Sequence, residues 1–174
     1  AGTVGNDGET HQGAFDISYL RFIPNMILFA PRDNKTLELG LEFAYTLTSP
    51  SAIRYPRGYF KELVYNSTPF TLGKAELLKD GSSNKLFIGY GAGVSRAIET
   101  ESLYEEDIAI LDLRFVKPID KDILVELSKK YDNWYIFSDS QKQGGVSSAI
   151  LEILNEKRIH NVEVTSFEYD DSFI

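Results

Sequence analysis

Residues 85–103, KLFIGYGAGVSRAIETESL, contain a short apolar run, a glycine-rich turn and a helical pattern in direct succession. The apolar run, Lys85 to Ile88, predicts a buried strand, and Val94 to Leu103 predicts a helix. The same order continues with strands at 108–111, 134–137 and 162–167 and helices at 121–131 and 146–157. Strands that alternate with helices, joined by connections too long for hairpins, predict an α/β fold with a mainly parallel sheet covered on both faces.

A shorter strand-helix-strand unit precedes this segment. Met26 to Ala30 predicts a strand, a helix capped by Asp33 runs to about Leu47, and Ala52 to Tyr55 predicts a second strand. With two strands, this unit is too small to form a complete α/β layer, so we expect it to be part of a larger domain. Residues 58–71 show no sustained period and include the turn-forming run NSTP. We therefore divide the chain into a front unit at 1–58, a linker at 59–71 and a second unit at 72–174, whose end also looks truncated. Asp120 is the expected cap of the helix at 121–131.

The composition restricts the function classes. The chain has 174 residues, 43% of them hydrophobic, and no apolar run approaches the roughly 20 residues that cross a bilayer. There is no cysteine, which removes disulfides and thiolate metal sites and fits a reducing cytoplasmic compartment. Because 26 acidic residues outnumber 18 basic ones, a nucleic-acid or anionic membrane surface is not expected. Any phosphate must be held locally by a few arginines.

Two glycine-rich turns precede predicted helices. The run GYGAG at 89–93 resembles the start of a dinucleotide fingerprint, but the sixth position of that fingerprint is Val94 rather than glycine, and no acidic ribose partner is obvious downstream. We interpret it as a tight strand-to-helix turn. The same interpretation applies to QGGVSSA at 143–149.

The opening loop gathers polar groups with complementary chemistry. Asp7, Glu9 and His11 lie within five positions, among glycines that form turns and allow close approach of a ligand. An imidazole can give or take a proton near neutral pH. Loops collect such residues without any catalytic role, so this run by itself leaves a surface turn and an active site both open.

An independent feature is RYPRG at 54–58, placed at the end of a predicted strand, where open parallel sheets bind their ligands. A guanidinium offers a planar fork of donors that suits a phosphate dianion. Arg57 is the better candidate because Pro56 stiffens the loop and Gly58 ends it. Arg54 lies within the predicted strand, and a side chain that covers a face of the sheet is the simpler interpretation of it.

Three motifs together resemble a known family. Two of them are similar to the pyrimidine-binding domain of the 1-deoxy-D-xylulose 5-phosphate synthases. These are DGETHQGAFDISYLRFIPNM, which starts at Asp7, and SPSAIRYPRG, which ends at Gly58. The synthases are thiamin diphosphate enzymes of the transketolase superfamily. LDLRFVKPID at 111–120 resembles their C-terminal domain. The resemblance therefore makes 1–58 an incomplete pyrimidine-binding domain and 72–174 a transketolase C-terminal domain.

The resemblance implies a reaction and a set of roles. Pyruvate would condense with glyceraldehyde 3-phosphate, with loss of CO₂, to give a precursor of isoprenoids, thiamin and pyridoxal. His11 would be catalytic, protonating oxygens as charge develops on them, Asp7 would hold an acceptor hydroxyl, and Arg57 would bind the acceptor phosphate. Thiamin diphosphate and Mg²⁺ would be cofactors of the intact enzyme, bound by residues upstream of Ala1. A homodimer is implied, with this chain inactive by itself.

Two alternatives stay open. Transketolases carry a similar Asp-Gly-x-Thr-His-Gln run, and the beta subunits of 2-oxo acid dehydrogenases share the architecture, although GAFDISYLR and YPRG favour the synthases. A different class of function is a dimerisation module that keeps the α/β fold without the chemistry. The combination of Asp7, His11 and Arg57 favours the enzyme, because a pure scaffold has no need of all three.

Overall fold

The computed structural model describes all residues, 1–174, and contains two sheets. None of its helices has the length and apolar character needed to pass through a bilayer. The five α-helices are α1 (Asp16–Arg21), α2 (Asn34–Tyr45), α3 (Gly93–Glu101), α4 (Lys121–Leu127) and α5 (Val146–Glu156). The eight strands are β1 (Ile27–Phe29), β2 (Ser51–Ile53), β3 (Glu76–Lys79), β4 (Lys85–Gly89), β5 (Ala109–Asp112), β6 (Phe115–Lys117), β7 (Asn133–Gln141) and β8 (Glu163–Tyr169).

The larger sheet confirms the predicted α/β fold. Its order is β3-β5-β4-β7-β8, and every neighbouring pair is parallel except β3 with β5. Strands β4 and β5 are almost entirely buried, as expected for strands covered on both faces. The main core includes Trp134, Tyr131 and Ile150, which are fully buried. Four of the five strands were predicted; the antiparallel edge strand β3 was not.

The predicted helix caps are confirmed. The Asp33 carboxylate accepts a hydrogen bond from the backbone N–H of Thr36 at 2.8 Å, and the Thr36 hydroxyl completes a capping box. The Asp120 carboxylate accepts from the N–H of Ile123 at 3.4 Å and from that of Ala75 at 3.1 Å. Asp120 therefore caps the N-terminus of α4 and also fixes the chain just before β3.

The turn GYGAG has a packing role that accounts for its glycines. Any side chain on Gly93 would collide with the backbone carbonyl of Phe137 in the neighbouring strand β7. Gly91 has a φ of 57° and packs against Ala30 of the front unit. The turn thus lets α3 lie directly on the sheet and brings the front unit close.

The smaller sheet, β2-β1-β6, joins the two units. β1 pairs in parallel with β2 and antiparallel with β6, which follows β5 in the chain by only two residues. Between them Arg114 takes the left-handed conformation, with φ 53°, and the Arg114 carbonyl accepts from the N–H of Ala30 at 2.8 Å. The run 111–120 therefore contributes one strand to each sheet, which the sequence analysis did not predict.

Aromatic packing reinforces this joint. Phe29 on β1, Phe43 on α2, Phe70 before β3 and Phe115 on β6 form a cluster with ring centroids 5.4 to 5.9 Å apart. Phe29 and Phe115 are fully buried. Because the four rings come from both units, separating the units would expose the whole cluster to water.

A buried ionic network lies beside the cluster. Arg32 donates to the Asp112 carboxylate at 2.8 Å, to the Glu76 carboxylate at 2.5 Å and to the carbonyl of Asn66 at 2.9 Å. Arg114 pairs with the same Glu76. Two arginines are thus neutralised by two carboxylates, and the arginine of the front unit depends on carboxylates of the second unit.

A carboxylate on β8 caps α5. The residue before this helix is Gly145, which has no side chain to cap it. Glu168 fills the role from the neighbouring strand, accepting from the N–H of Val146 and from the hydroxyl of Ser140, each at 2.9 Å. Burial raises the pKa of the Glu168 carboxyl, although the hydrogen bonds from Ser147 and Ser140 act in the opposite direction.

This cap predicts a pH dependence of stability. From the ordinary glutamate pKa up to the raised folded value, the folded chain binds more protons than the unfolded chain, so its unfolding free energy falls as pH rises. Glu168→Gln removes the titrating carboxyl, so the variant does not lose this part of the unfolding free energy. Urea unfolding from about pH 4 upward should therefore show the variant gaining on the wild type as pH rises through that window. Glu163 is exposed on the same strand, so the Glu163→Gln variant should follow the wild type. If the pH profile of the unfolding free energy of Glu168→Gln runs parallel to that of the wild type, the raised pKa of Glu168 is contradicted.

Candidate active site

The opening loop is closed at its base and carries two short turns. The backbones of Gly2 and Gly13 exchange two hydrogen bonds, at 3.0 and 2.7 Å. Single 3₁₀ turns follow at Gly5–Asp7 and Glu9–His11. A side chain on Gly13 would crowd the backbone of Ala1, so closing the loop already requires glycine there, independently of any ligand.

The structure brings two of the three predicted site residues together. Asp7 and Arg57 form an ion pair between the opening loop and the RYPRG loop, with side chains 39% and 63% exposed. His11 lies on the same loop, and its Nδ1 is 2.9 Å from the hydroxyl of Thr10. His11 makes no hydrogen bond to either member of the pair. Asp7 and Arg57 therefore meet, His11 lies exposed on the same loop without contacting either of them, and the roles of all three stay predictions.

Arg54 does not cover an exposed face of the sheet, which was one interpretation of the sequence. It is a buried clamp. Its side chain is 4% exposed and donates to both oxygens of Asp16, at 3.1 and 2.9 Å. It also donates to the Asp139 carboxylate at 2.5 Å, to the Asp139 carbonyl at 2.7 Å and to the carbonyl of Gly13 at 2.8 Å. Burial opposes the charge, but Asp139 and Asp16 outweigh it and raise the pKa of the guanidinium.

The clamp ties three segments to one side chain. Asp16 begins α1, Gly13 closes the opening loop, and Asp139 lies in β7 of the second unit. Arg57, three residues beyond Arg54, is held next to the opening loop as a result. The position of the candidate site is thus set by a residue that the sequence analysis did not include in it.

A signal for the clamp was present in the sequence. An arginine inside a predicted strand needs a carboxylate partner if it is buried, and SDSQ at 138–141 places Asp139 at the end of an apolar strand. The four residues of that run are buried. Only the three-dimensional pairing shows that Arg54 and Asp139, 85 positions apart, meet.

Two cavities share Arg57. One, of about 410 Å³, runs along the edge of β2 and is lined by apolar residues that include Leu20, Leu28 and Ile53. The other, of about 310 Å³, lies between the front unit and α3 and has a largely polar lining. A phosphate requires charged and hydrogen-bonding partners, so the second cavity is the better match for a phosphorylated ligand.

The residues present do not fit the diphosphate end of thiamin diphosphate. A bound diphosphate is held through a metal ion with oxygen ligands, and no group of three or more histidine or acidic side chains in this chain is placed to hold one.

Comparison with known proteins gives matches along nearly all of the chain. Residues 1–61 match the family model of the transketolase pyrimidine binding domain, and residues 73–167 match that of the transketolase C-terminal domain. The 1-deoxy-D-xylulose-5-phosphate synthase of Aliarcobacter butzleri is 75% identical over 174 residues, which are all of this chain and 29% of that protein. The synthase of Sulfurimonas denitrificans is 55% identical, again over all of this chain and 29% of its own length. The chain thus spans under a third of the length of these relatives.

Solved structures agree on the fold. A chain described as a split gene transketolase, inactive beta4 tetramer, has a TM-score of 0.86 and 25% identity, covering 95% of this chain and 55% of its own. A transketolase from Campylobacter jejuni has a TM-score of 0.62 at 17% identity, covering 96% of this chain and 25% of its own. The second likeness concerns the fold alone.

The two arginines of RYPRG offer a matched stability test. Arg54→Met removes one side of a buried ion cluster and should lower the free energy of unfolding by about 3 to 5 kcal/mol. Arg57→Met removes an exposed pair and should change it by less than about 1 kcal/mol. Urea unfolding monitored by the fluorescence of the buried Trp134 measures both. Equal effects of the two substitutions would show that Arg54 does not act as a clamp.

Proposed function

The chain belongs to the transketolase family, and from that premise we propose that it is part of a 1-deoxy-D-xylulose-5-phosphate synthase. The observation that carries the proposal is 75% identity to such a synthase over all 174 residues. The intact enzyme would condense pyruvate with glyceraldehyde 3-phosphate and release CO₂. Thiamin diphosphate, on which transketolase-type enzymes depend, supplies the carbon chemistry when bound.

In this proposal Arg57 binds the phosphate of the acceptor aldehyde. The guanidinium is exposed and carries five donors, of which the pair with Asp7 uses only a part. An exposed ion pair contributes about 0 to 1 kcal/mol, so a phosphate dianion can displace or share it at little cost. Pro56 and the buried Arg54 keep the backbone of the loop in place while the side chain changes partner.

Release of Asp7 gives this carboxylate a second role. Once it is released from Arg57, the Asp7 carboxylate can accept a hydrogen bond from a hydroxyl group of the acceptor aldehyde. His11, four positions further along, can donate a proton to an oxygen on which negative charge develops. On binding of the aldehyde, Arg57 would thus leave Asp7 and contact the phosphate end, and Asp7 would contact a hydroxyl group of the same molecule.

Other parts of the proposal rest on the family. Mg²⁺, a homodimer and a cytoplasmic location belong to the synthase as a whole, and we propose this chain to be inactive without the remainder of its relatives' length. A non-catalytic assembly module is the second candidate. The likeness to a split transketolase chain whose description reads inactive beta4 tetramer favours it, since that protein holds together without activity.

The phosphate role predicts a selective kinetic defect. In the full-length synthase that contains this sequence, Arg57→Ala should raise the KM for glyceraldehyde 3-phosphate about 10- to 100-fold, because a charge-assisted contact is lost. The KM for pyruvate should change little. Steady-state kinetics with each substrate varied in turn measures the difference, and equal increases for both substrates would remove the phosphate role. A wild type that forms no product from this pair would overturn the proposed function.

The proton-transfer role predicts a different defect at His11. His11→Ala should lower kcat about 100-fold or more while leaving the affinity for thiamin diphosphate unchanged, because general acid-base groups contribute in this range. Turnover assays and cofactor titration separate the two effects. His160→Ala is the control, since His160 is exposed in the second unit. An unchanged turnover for His11→Ala would make His11 an ordinary loop residue.

A further inference from the structure

The end of β7 supports the base of the opening loop, although no residue of this strand has a role in the chemistry proposed above. Gln141 donates its backbone N–H to the carbonyl of Ala14 at 2.8 Å. The Asp139 carboxylate accepts from Arg54, and Arg54 also donates to the carbonyl of Gly13. Two residues of the C-terminal domain are therefore connected to the point where the opening loop closes.

Asp139 also touches the other side of the loop base directly. Gly2, with φ 71°, exchanges backbone hydrogen bonds with Gly13 and so closes the loop. A Cβ built on Gly2 would come within 2.0 Å of Oδ2 of Asp139. The carboxylate thus occupies the space beside Gly2, and the two sides of the loop base are held by the same side chain, one directly and one through Arg54.

Neutralisation of Arg54 does not by itself require Asp139. Asp16 already offers both carboxylate oxygens to the guanidinium, at 3.1 and 2.9 Å. Asp16 lies on α1 of the front unit, as Arg54 does on the same unit, whereas Asp139 lies on β7 of the larger sheet. Asp139 is therefore the carboxylate that links this buried cluster, and the loop attached to it, to the C-terminal domain.

We propose that Asp139 is a positioning residue of the proposed reaction: from the C-terminal domain it holds the base of the opening loop and so fixes where Asp7 and His11 stand toward the acceptor aldehyde. The inference rests on the proposed function, because the roles of Asp7 and His11 come from it. His11 lies two positions before Gly13 and Asp7 five positions after Gly2, so a shift of the base is carried to both. A displacement of about 1 Å in a reacting site can cost about 100-fold in rate.

Amide hydrogen exchange in the 174-residue chain tests the contact without cofactor or turnover. The amides of Gly13 and Gln141 report on the loop base, and the amide of Tyr90, in the larger sheet, reports on global opening. Asp139→Ala should speed exchange at Gly13 and Gln141 about tenfold or more and leave Tyr90 unchanged. Equal acceleration at all three amides would show a general loss of stability, and no acceleration would show that Asp139 does not hold the loop; either result overturns the inference.

A matched pair of glycine substitutions tests the same contact from the loop side and leaves the buried charges in place. Gly2 and Gly5 have φ angles of 71° and 69°, so alanine is strained to a similar degree at both. Only Gly2 lies against Asp139, since a Cβ on Gly5 would meet no atom within 4 Å. Gly2→Ala should therefore speed exchange of the Gln141 amide about tenfold, and Gly5→Ala should leave it at the wild-type rate. Equal effects would mean that only backbone strain matters and would contradict the inference.

Kinetics of the full-length synthase that contains this sequence test the consequence for the reaction. Asp139→Ala should lower kcat about 10- to 100-fold, while the KM for pyruvate changes by less than about twofold, because the loop that carries Asp7 and His11 is displaced. Asp132→Ala removes an exposed carboxylate just before β7 and should keep the wild-type kcat. An unchanged kcat for Asp139→Ala would overturn the inference and leave the proposed function intact. If the wild type forms no product, the proposed function fails, and the exchange experiment decides whether Asp139 holds the loop.

Discussion

Asp112 carries a buried carboxylate between Arg32 of the front unit and Arg114 of the second unit, and the joint between the two units depends on this contact. Arg32 is fully buried and cannot be solvated by water, so its charge must be met within the protein. Asp112 and Glu76, both from strands of the larger sheet, meet it. The front unit therefore cannot leave the second unit without stranding a charge on each side.

A second arginine clamp extends this constraint to the candidate site. Arg54 holds the base of the opening loop through Gly13, the start of α1 through Asp16 and the end of β7 through Asp139. The exposed groups that could act on a substrate are only a few residues from these anchors, Arg57 after Arg54 and His11 before Gly13. Buried anchors next to exposed side chains fit the proposed site, which would bind its ligand by exchanging an exposed ion pair. This arrangement is consistent with the acceptor half of the proposed synthase.

The parts of the fold that follow local rules could be predicted from the sequence, and those that depend on distant partners could not. The apolar runs at β4, β5, β7 and β8 and the caps Asp33 and Asp120 carry their signal within a few neighbouring residues. Strands β3 and β6 have four and three residues and lie next to stronger elements, so no period marks them. Helix α1 has only six residues, and for the same reason no sequence pattern predicts it. In the site, residue types and turns indicated Asp7, His11 and Arg57, while the clamp of Arg54 needed a partner 85 positions away.

Native-state hydrogen exchange tests most directly whether the two units form one cooperative body. The amides of Ala30 and Arg54 donate to Arg114 and Phe29 within the smaller sheet, and that of Tyr90 donates to Phe137 in the larger one. If the buried arginine clamps unite the sheets, these amides should exchange with the same free energy of opening, close to that of global unfolding. Exchange of Ala30 and Arg54 at a free energy several kcal/mol below that of Tyr90 would show that the front unit opens by itself, and would contradict the account.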